Sequence, residues 1–324
     1  MAIDNDYWDK YYRFWDDFVE QWYNYVKSDK TCAEQIAIAY GKASSLNIDE
    51  LPTPYLGEPN RDGYLKAVFL NLNPGMSEKV NGVNLDETQY YSNIDNGDHG
   101  WMIKKFRDEE SCKYSSFIRN WSCLNPPNAP PHPICGVRWW RDRMEWVRQI
   151  YNNSEIMPSE VFALELCPFH SKAWDFNVRE SGSLVDFILE HSIFPALKAT
   201  QERNLPFSIA VGASFNDVFE RAKEKGMNLQ VEKEWSYHNA SHAERQESNQ
   251  TEIFSDAVLR DFWPRTAKGG TKFTERNYRL YKVQTSDCLA RILVTWANGG
   301  NKPPASDFQS VEEQIRTFVT NNPL

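Results

Sequence analysis

The stretch AVFLNLNPG, residues 67–75, has the pattern on which most of the chain is built. The apolar run from Ala67 to Leu70 predicts a buried strand. The polar sequence that follows predicts a loop, because Asn, Pro and Gly favour turns. Three later stretches have the same form, an apolar strand that stops at a polar loop: residues 161–171, 207–214 and 290–300.

Amphipathic helices are predicted between and after these strands. They cover residues 138–151, 183–202, 214–226 and 310–320. Two further strands are predicted at 229–237 and 279–286. Strands that alternate with helices are typical of the α/β class with a mostly parallel sheet. Ligands of such sheets bind beyond the carboxyl ends of the strands, so the polar loops are expected to line one cleft.

The N-terminal segment is a predicted helical extension. Residues 7–27 repeat aromatic side chains at helical spacing, which predicts a helix whose aromatic stripe packs on the core: Tyr7, Tyr11, Phe14, Phe18, Trp22 and Tyr25. A second helix is predicted at 31–43. We therefore expect two parts, an extension over residues 1–58 that packs on the core and a main α/β domain over 59–324. The extension either closes an edge of the sheet or joins a partner.

Composition restricts the class of protein. The chain has 324 residues and a net charge of −9, which argues against a broad, non-specific grip on nucleic acid. The start of the chain does not resemble a signal peptide, and no apolar run approaches the length of a membrane span. The six cysteines include no C-x-x-C pair, which favours a cytoplasmic protein with reduced thiols. Candidate zinc ligands are Cys112, Cys123, Cys135 and His132, but their spacing is not finger-like, so no metal is expected.

Three strand ends resemble motifs of the uracil-DNA glycosylase superfamily, nearest its single-strand-selective monofunctional branch. The motif sequences are LNLNPG at 70–75, ELCPFHS at 165–171 and ILVTWANGGNKPP at 292–304. The resemblance covers roughly residues 60–324. It implies a three-layer α/β/α fold around a central four-stranded, mostly parallel sheet. It also implies a pocket that receives a base swung out of its strand.

The resemblance assigns a catalytic set. Asn73 matches the asparagine that positions the attacking water, and Pro74 and Gly75 complete that motif beside the base. Trp296 and Asn298 lie where the family has a histidine that donates a hydrogen bond to the departing base. Both carry neutral N–H donors that are able to stabilise developing negative charge.

Glu165 stands where the family has an asparagine that reads uracil. An ionised carboxylate only accepts hydrogen bonds, so the exchange disfavours uracil and favours a guanine-like edge. A protonated Glu165 would instead fit a cytosine-like edge. The other interpretation is a buried ion pair between Glu165 and Lys172 or Arg143.

Further residues are candidate contacts to the base, by the same resemblance, and to phosphate, by their local sequence. Tyr90 and Tyr91 are expected either to stack on the base or to pack the insert on the core. His170 is either a replacement donor or an ordinary surface residue. Ser214, at a predicted helix start, and Lys302, in a Gly-rich loop, are the expected phosphate contacts.

The predicted function is hydrolysis of an N-glycosidic bond, with a base other than uracil as the leaving group. The expected partner is DNA or a small molecule that contains a nucleobase, and no organic cofactor or membrane is required. The alternative is a nucleobase- or nucleotide-binding protein that keeps the pocket without catalysis. The sequence identifies no protein partner.

Overall fold

A computed structural model gives the architecture of part of the chain. It describes residues 3–28, 52, 54–57, 59–60, 65–72, 79–80, 83–84, 144, 146–157, 160–169, 182–239, 253–254, 274–297 and 309–324. The helix predicted at 31–43 lies outside these residues. So does the insert between residues 77 and 137, apart from a two-stranded hairpin within 79–84.

The described residues form ten strands. They are β1 Tyr55–Leu56, β2 Ala67–Asn71, β3 Lys79–Val80, β4 Val83–Asn84, β5 Val161–Glu165, β6 Ser208–Val211, β7 Asn228–Asn239, β8 Ile253–Phe254, β9 Thr274–Gln284 and β10 Leu289–Ala297. The hairpin β3–β4 stands apart from the main sheet. The strands predicted around 229–237 and 279–286 are both present and longer than expected.

The main sheet has the strand order β1-β5-β2-β6-β10-β9-β7-β8. Parallel pairing joins the four consecutive strands β5, β2, β6 and β10. The remaining pairs, β1 with β5, β9 with β10, β7 with β9 and β8 with β7, are antiparallel. The α/β class is thus confirmed, but the sheet is mixed and larger than the four strands predicted. Six of its strands have four or more residues. The difference arises because β9 turns back through a short loop into β10 and covers the edge that β10 would otherwise expose.

Helices cover both faces of the sheet. Their bounds are α1 Asn5–Ser28, α2 Gly182–Ile188, α3 Phe194–Glu202, α4 Ser214–Glu224 and α5 Gln309–Asn321, and a π-helical turn, Leu189–Ile193, joins α2 to α3. α1, α3 and α4 share one buried cluster with β2 residues Val68 and Leu70, and this side is called the α1 face. α5 and a helical segment at 146–150 share the other cluster with Phe69, and this side is called the α5 face.

The aromatic side chains in the first half of α1 pack on the core, whereas the predicted contacts of Trp22 and Tyr25 lie outside the described side chains. In that first half, the buried aromatic side chains are Trp8, Tyr11, Tyr12 and Trp15. The buried face of the helix is therefore shifted by about one residue from the predicted stripe. Trp8 packs edge-on against Phe162 of β5, with ring centroids 5.7 Å apart. Tyr7, Phe14 and Phe18 lie at the margin of the same cluster.

Two glycines with positive φ give a matched test of the β1–β5 edge. Gly57 (φ +97°) is so close to β5 that an added Cβ would lie 2.5 Å from the Val161 carbonyl oxygen, whereas Gly226 (φ +91°) has open space around it. Gly226→Ala should therefore lower the free energy of unfolding by the backbone strain alone, about 1–2 kcal/mol. Gly57→Ala should cost about 1–3 kcal/mol more, because the methyl group also overpacks the edge.

Urea unfolding followed by far-UV circular dichroism measures both variants against the unmodified protein. Equal losses of unfolding free energy in the two variants would contradict the close approach at Gly57.

Candidate functional site

A buried polar pair lies at the carboxyl ends of the neighbouring parallel strands β2 and β5. Asn71 and Glu165 are direct partners in the parallel register, and the Asn71 Nδ2 amide donates a 3.1 Å hydrogen bond to Glu165 Oε1. Only 3% of Asn71 and 8% of Glu165 is exposed. Because Ala67 and Phe69 belong to the α5-face cluster, strand alternation places Asn71 and its partner Glu165 on that same face.

The backbone around Glu165 is held by hydrogen bonds from three sides. Its N–H donates to the Pro54 carbonyl at 2.9 Å, and its carbonyl accepts from Ser192 Oγ at 2.8 Å. Next along the chain, the Leu166 N–H donates to the Asn71 carbonyl at 2.8 Å, so pairing continues past the last residue of β5. The carboxylate therefore projects from a strand end whose main chain is already satisfied.

Most of the predicted site lies outside the described residues. This holds for Asn73, Pro74, Gly75, Tyr90, Tyr91, His170, Asn298 and Lys302, for both expected ion-pair partners Lys172 and Arg143, and for the cysteines considered as zinc ligands. Of the predicted site residues, the structure describes Glu165, Ser214 and Trp296.

Trp296 lies at the same edge of the sheet as Glu165 but on the other face. It packs against the α1-face cluster, and the Arg279 guanidinium lies 5.5 Å from the centroid of its ring. β5 and β10 are three strand positions apart, which is about 14 Å at the usual spacing. The structure thus brings Asn71 and Glu165 together but does not bring Trp296 onto their face.

Ser214 begins α4, as expected for a residue at a helix start. The turn before it depends on Gly212 (φ +137°), where an added Cβ would lie 2.7 Å from the Leu72 side chain. The Gly212 N–H donates to the Thr295 carbonyl at 2.9 Å. The start of α4 is therefore locked between the ends of β2 and β10, at the edge that carries Glu165.

A network on the α1 face holds Arg279 against Trp296. Arg279 Nη1 donates to Tyr281 Oη at 3.1 Å, and its Nε donates to Glu234. The Tyr281 hydroxyl in turn donates to Asn216 Oδ1 of α4 at 2.9 Å. Sequence reasoning did not single out these residues. The alternation of polar and aromatic side chains in RNYRLYK, residues 276–282, was the available signal.

A second buried polar group lies on the α5 face, and it too was not predicted from the sequence. Arg276 is only 2% exposed; it donates from Nη1 to Thr295 Oγ1 at 3.0 Å and lies 5.2 Å from the Trp146 ring centroid. Trp146 Nε1 donates to Glu312 Oε1 at 3.1 Å, and Glu312 is fully buried. Thr295 lies on the face of Asn71 and Glu165, so this edge holds charged groups of both signs within the core.

Burial shifts the pKa of two groups in opposite senses. Desolvation raises the pKa of Glu312 from 4.5 to about 7, against the hydrogen bond from Trp146 and the charges of Arg316 and Arg276. Desolvation lowers the pKa of His191, in the π-turn, from 6.5 to about 4. The His191 ring stacks on Phe14 of α1 with centroids 3.8 Å apart. This contact shields the ring from water and so favours its neutral form.

These two shifts give opposing pH dependences of stability. Glu312 contributes stability that is fully present below about pH 4.5 and is lost as the pH rises through about 7. His191 contributes stability that is present above pH 6.5 and is lost as the pH falls through about 4.

Glu312→Gln should therefore make the unfolding free energy rise more steeply with pH, by up to about 1.4 kcal/mol per unit between pH 5 and 7. His191→Phe, which keeps a stacked ring, should tilt the curve the other way.

Urea unfolding at half-unit steps from pH 4.5 to 7.5 measures the slopes. Glu313→Gln is the control, since Glu313 is exposed on the same helix. A curve for Glu312→Gln that runs parallel to that of the unmodified protein would contradict the assignment.

Comparisons with models of protein families, with curated proteins and with solved structures gave no match. Among the described residues, no helix is both long and apolar enough to cross a membrane. Within the same residues, no three His, Cys, Asp or Glu side chains lie together as metal ligands would. The geometry of the strand ends is therefore the feature that bears on function.

Proposed function

We propose that the protein has a uracil-DNA glycosylase-like fold, recognises a nucleobase at the carboxyl edge of its sheet and hydrolyses the N-glycosidic bond of that base. The parallel order β5-β2-β6-β10 supports this proposal, because it aligns the ends of the three motif-bearing strands at one edge. Ligands of α/β sheets bind at that edge.

The observation that carries the proposal is the Asn71–Glu165 pair. An ionised carboxylate only accepts hydrogen bonds, and Glu165 accepts one from the Asn71 amide. The same bond orients the carboxyl group at the strand ends. A carboxylate held in this way is suited to a ligand that presents two adjacent N–H donors.

The donor pattern of the base decides which ligands fit. Guanine presents N1–H and N2–H₂ side by side, and both are able to bond to an ionised Glu165. Cytosine fits the protonated form, which donates to N3 and accepts from N4. Uracil would place its O4 acceptor against negative charge, at a cost of about 1–3 kcal/mol for an unsatisfied buried group.

In the hydrolysis, Asn73 holds the water that attacks the sugar carbon. The bond between that carbon and the base nitrogen breaks, and the proton of the water is transferred to the base. A donor at Asn298 stabilises the charge that develops on the leaving base, since Trp296 lies on the opposite face of the sheet from Glu165. Tyr90 or Tyr91 stacks on the base, and Ser214 and Lys302 contact phosphate.

Exchange of the carboxylate for an amide tests the recognition step. Glu165→Gln retains the acceptor for Asn71 and adds a donor, so it should bind a uracil-like edge about tenfold more tightly and a guanine-like edge about tenfold more weakly. Calorimetric titration with free nucleosides measures both affinities, and Glu313→Gln is the exposed control. Tight binding of uridine by the unmodified protein, lost in Glu165→Gln, would contradict the assignment of Glu165.

Catalysis is tested with single- and double-stranded oligonucleotides that carry a panel of normal and damaged bases. Alkali converts each abasic product into a strand break, so breaks that depend on Asn73 support hydrolysis. Strand breaks that persist in Asn73→Ala would remove Asn73 from the mechanism.

One observation favours a second function, binding without catalysis. Trp296, the described candidate donor, lies on the opposite face of the sheet from Glu165, where its ring contacts the Arg279 guanidinium. The net charge of −9 also favours a free nucleoside over long DNA. Measurable nucleoside binding with no strand breaks across the panel would decide for this function.

A further inference from the structure

A π-helical turn connects the candidate site to the N-terminal helix. Residues Leu189–Ile193 interrupt the helical stretch between α2 and α3 with five π-helical residues. π-turns within α-helices are rare and occur frequently at functional sites. Here the turn buries two consecutive polar residues, His191 and Ser192, which point to different partners.

Ser192 joins the turn to Glu165. Its hydroxyl donates a 2.8 Å hydrogen bond to the Glu165 carbonyl, and only 4% of Ser192 is exposed. The Glu165 carbonyl belongs to the residue whose side chain forms the Asn71 pair. Ser192 therefore helps to fix the backbone position of Glu165, the residue that carries the carboxylate.

His191 joins the turn to α1. Its ring is nearly parallel to that of Phe14, at 7° and 3.8 Å between centroids. The Tyr11 hydroxyl donates to the His191 carbonyl at 3.2 Å. Because burial lowers the pKa of His191 to about 4, the ring is neutral near pH 7 and packs without a charge to solvate.

We propose that α1 is a positioning element of the site, which holds Glu165 in its recognition geometry through the path Tyr11 and Phe14, His191, Ser192. The identity of the ligand rests on the proposed function, whereas the mechanical link does not. Ser192 and Tyr11 are positioning residues, since they act on the ligand through Glu165.

The chain supplies a matched control for each link. Thr200 in α3 is a buried residue whose hydroxyl donates to the Ala196 carbonyl at 2.7 Å, far from Glu165 in the helix. Tyr12 is a buried neighbour of Tyr11 whose hydroxyl donates to Asn60 Oδ1 at 2.7 Å. Ser192→Ala is thus paired with Thr200→Val, and Tyr11→Phe with Tyr12→Phe.

Hydrogen exchange followed by mass spectrometry tests the link without any ligand. The Leu166 and Cys167 amides, which donate to the Asn71 and Leu72 carbonyls at 2.8 Å, report the opening of the strand end. Ser192→Ala and Tyr11→Phe should speed exchange in the 165–169 peptide about fivefold, the effect of one buried hydrogen bond. The two controls should leave it unchanged, and Ser192→Thr, which keeps the hydroxyl, should restore it. Unchanged exchange in Ser192→Ala, or an equal rise in all four variants, would overturn the proposal.

Calorimetric titration with guanosine and uridine separates this inference from the proposed function. Ser192→Ala should weaken guanosine binding about fivefold and Ser192→Thr should recover it, while Thr200→Val binds as the unmodified protein does. Guanosine binding that is unaffected by Ser192→Ala would overturn the positioning role. If the unmodified protein binds neither nucleoside, the proposed function fails, and the exchange experiment alone decides the link.

Discussion

The two-sided burial of β2 is the constraint on which the rest of the structure depends. β2 lies between β5 and β6 with all five of its residues buried, because helices cover both faces of the sheet. Such a strand accommodates polar side chains only where it ends, and a polar group that is buried there needs a partner. The Asn71–Glu165 bond meets this need. The feature that stabilises the strand end is thus also the feature that makes it a candidate for recognition.

The antiparallel half of the sheet introduces charge into the core. β9 and β7 extend the sheet beyond β10, and they carry the buried Arg276 and the partly buried Glu232. Arg276 donates to the neutral Thr295 hydroxyl, and the buried Arg291 of β10 forms an ion pair with Glu232 through two nitrogens. A buried ion pair such as Arg291–Glu232 adds little net stability but penalises alternative packings. We therefore infer that this ion pair favours a single register for the β9–β10 hairpin.

α1 links the periphery of the molecule to the candidate site. Its aromatic face fills the core near β5, and Trp8 Nε1 donates to Glu202 of α3 at 2.8 Å. Farther along α1, Tyr11 and Phe14 reach the π-turn that carries Ser192. One helix therefore contacts the segments on both sides of the turn, which gives a physical reason for the N-terminal extension to matter to a site at a strand end.

Local patterns in the sequence determined the strands, the α/β class and the position of Glu165 and Ser214 at element ends, because apolar periodicity and turn residues act over a few positions. The aromatic helix at the N-terminus was predictable for the same reason. Only the tertiary structure decided that Asn71 is the partner of Glu165, that Trp296 lies on the opposite face, and that Arg276 and Glu312 are buried near each other. These facts depend on strand order and register, which bring together residues that are far apart in the chain, such as Asn71 and Glu165, 94 positions apart. No local pattern encodes which distant strand becomes a neighbour.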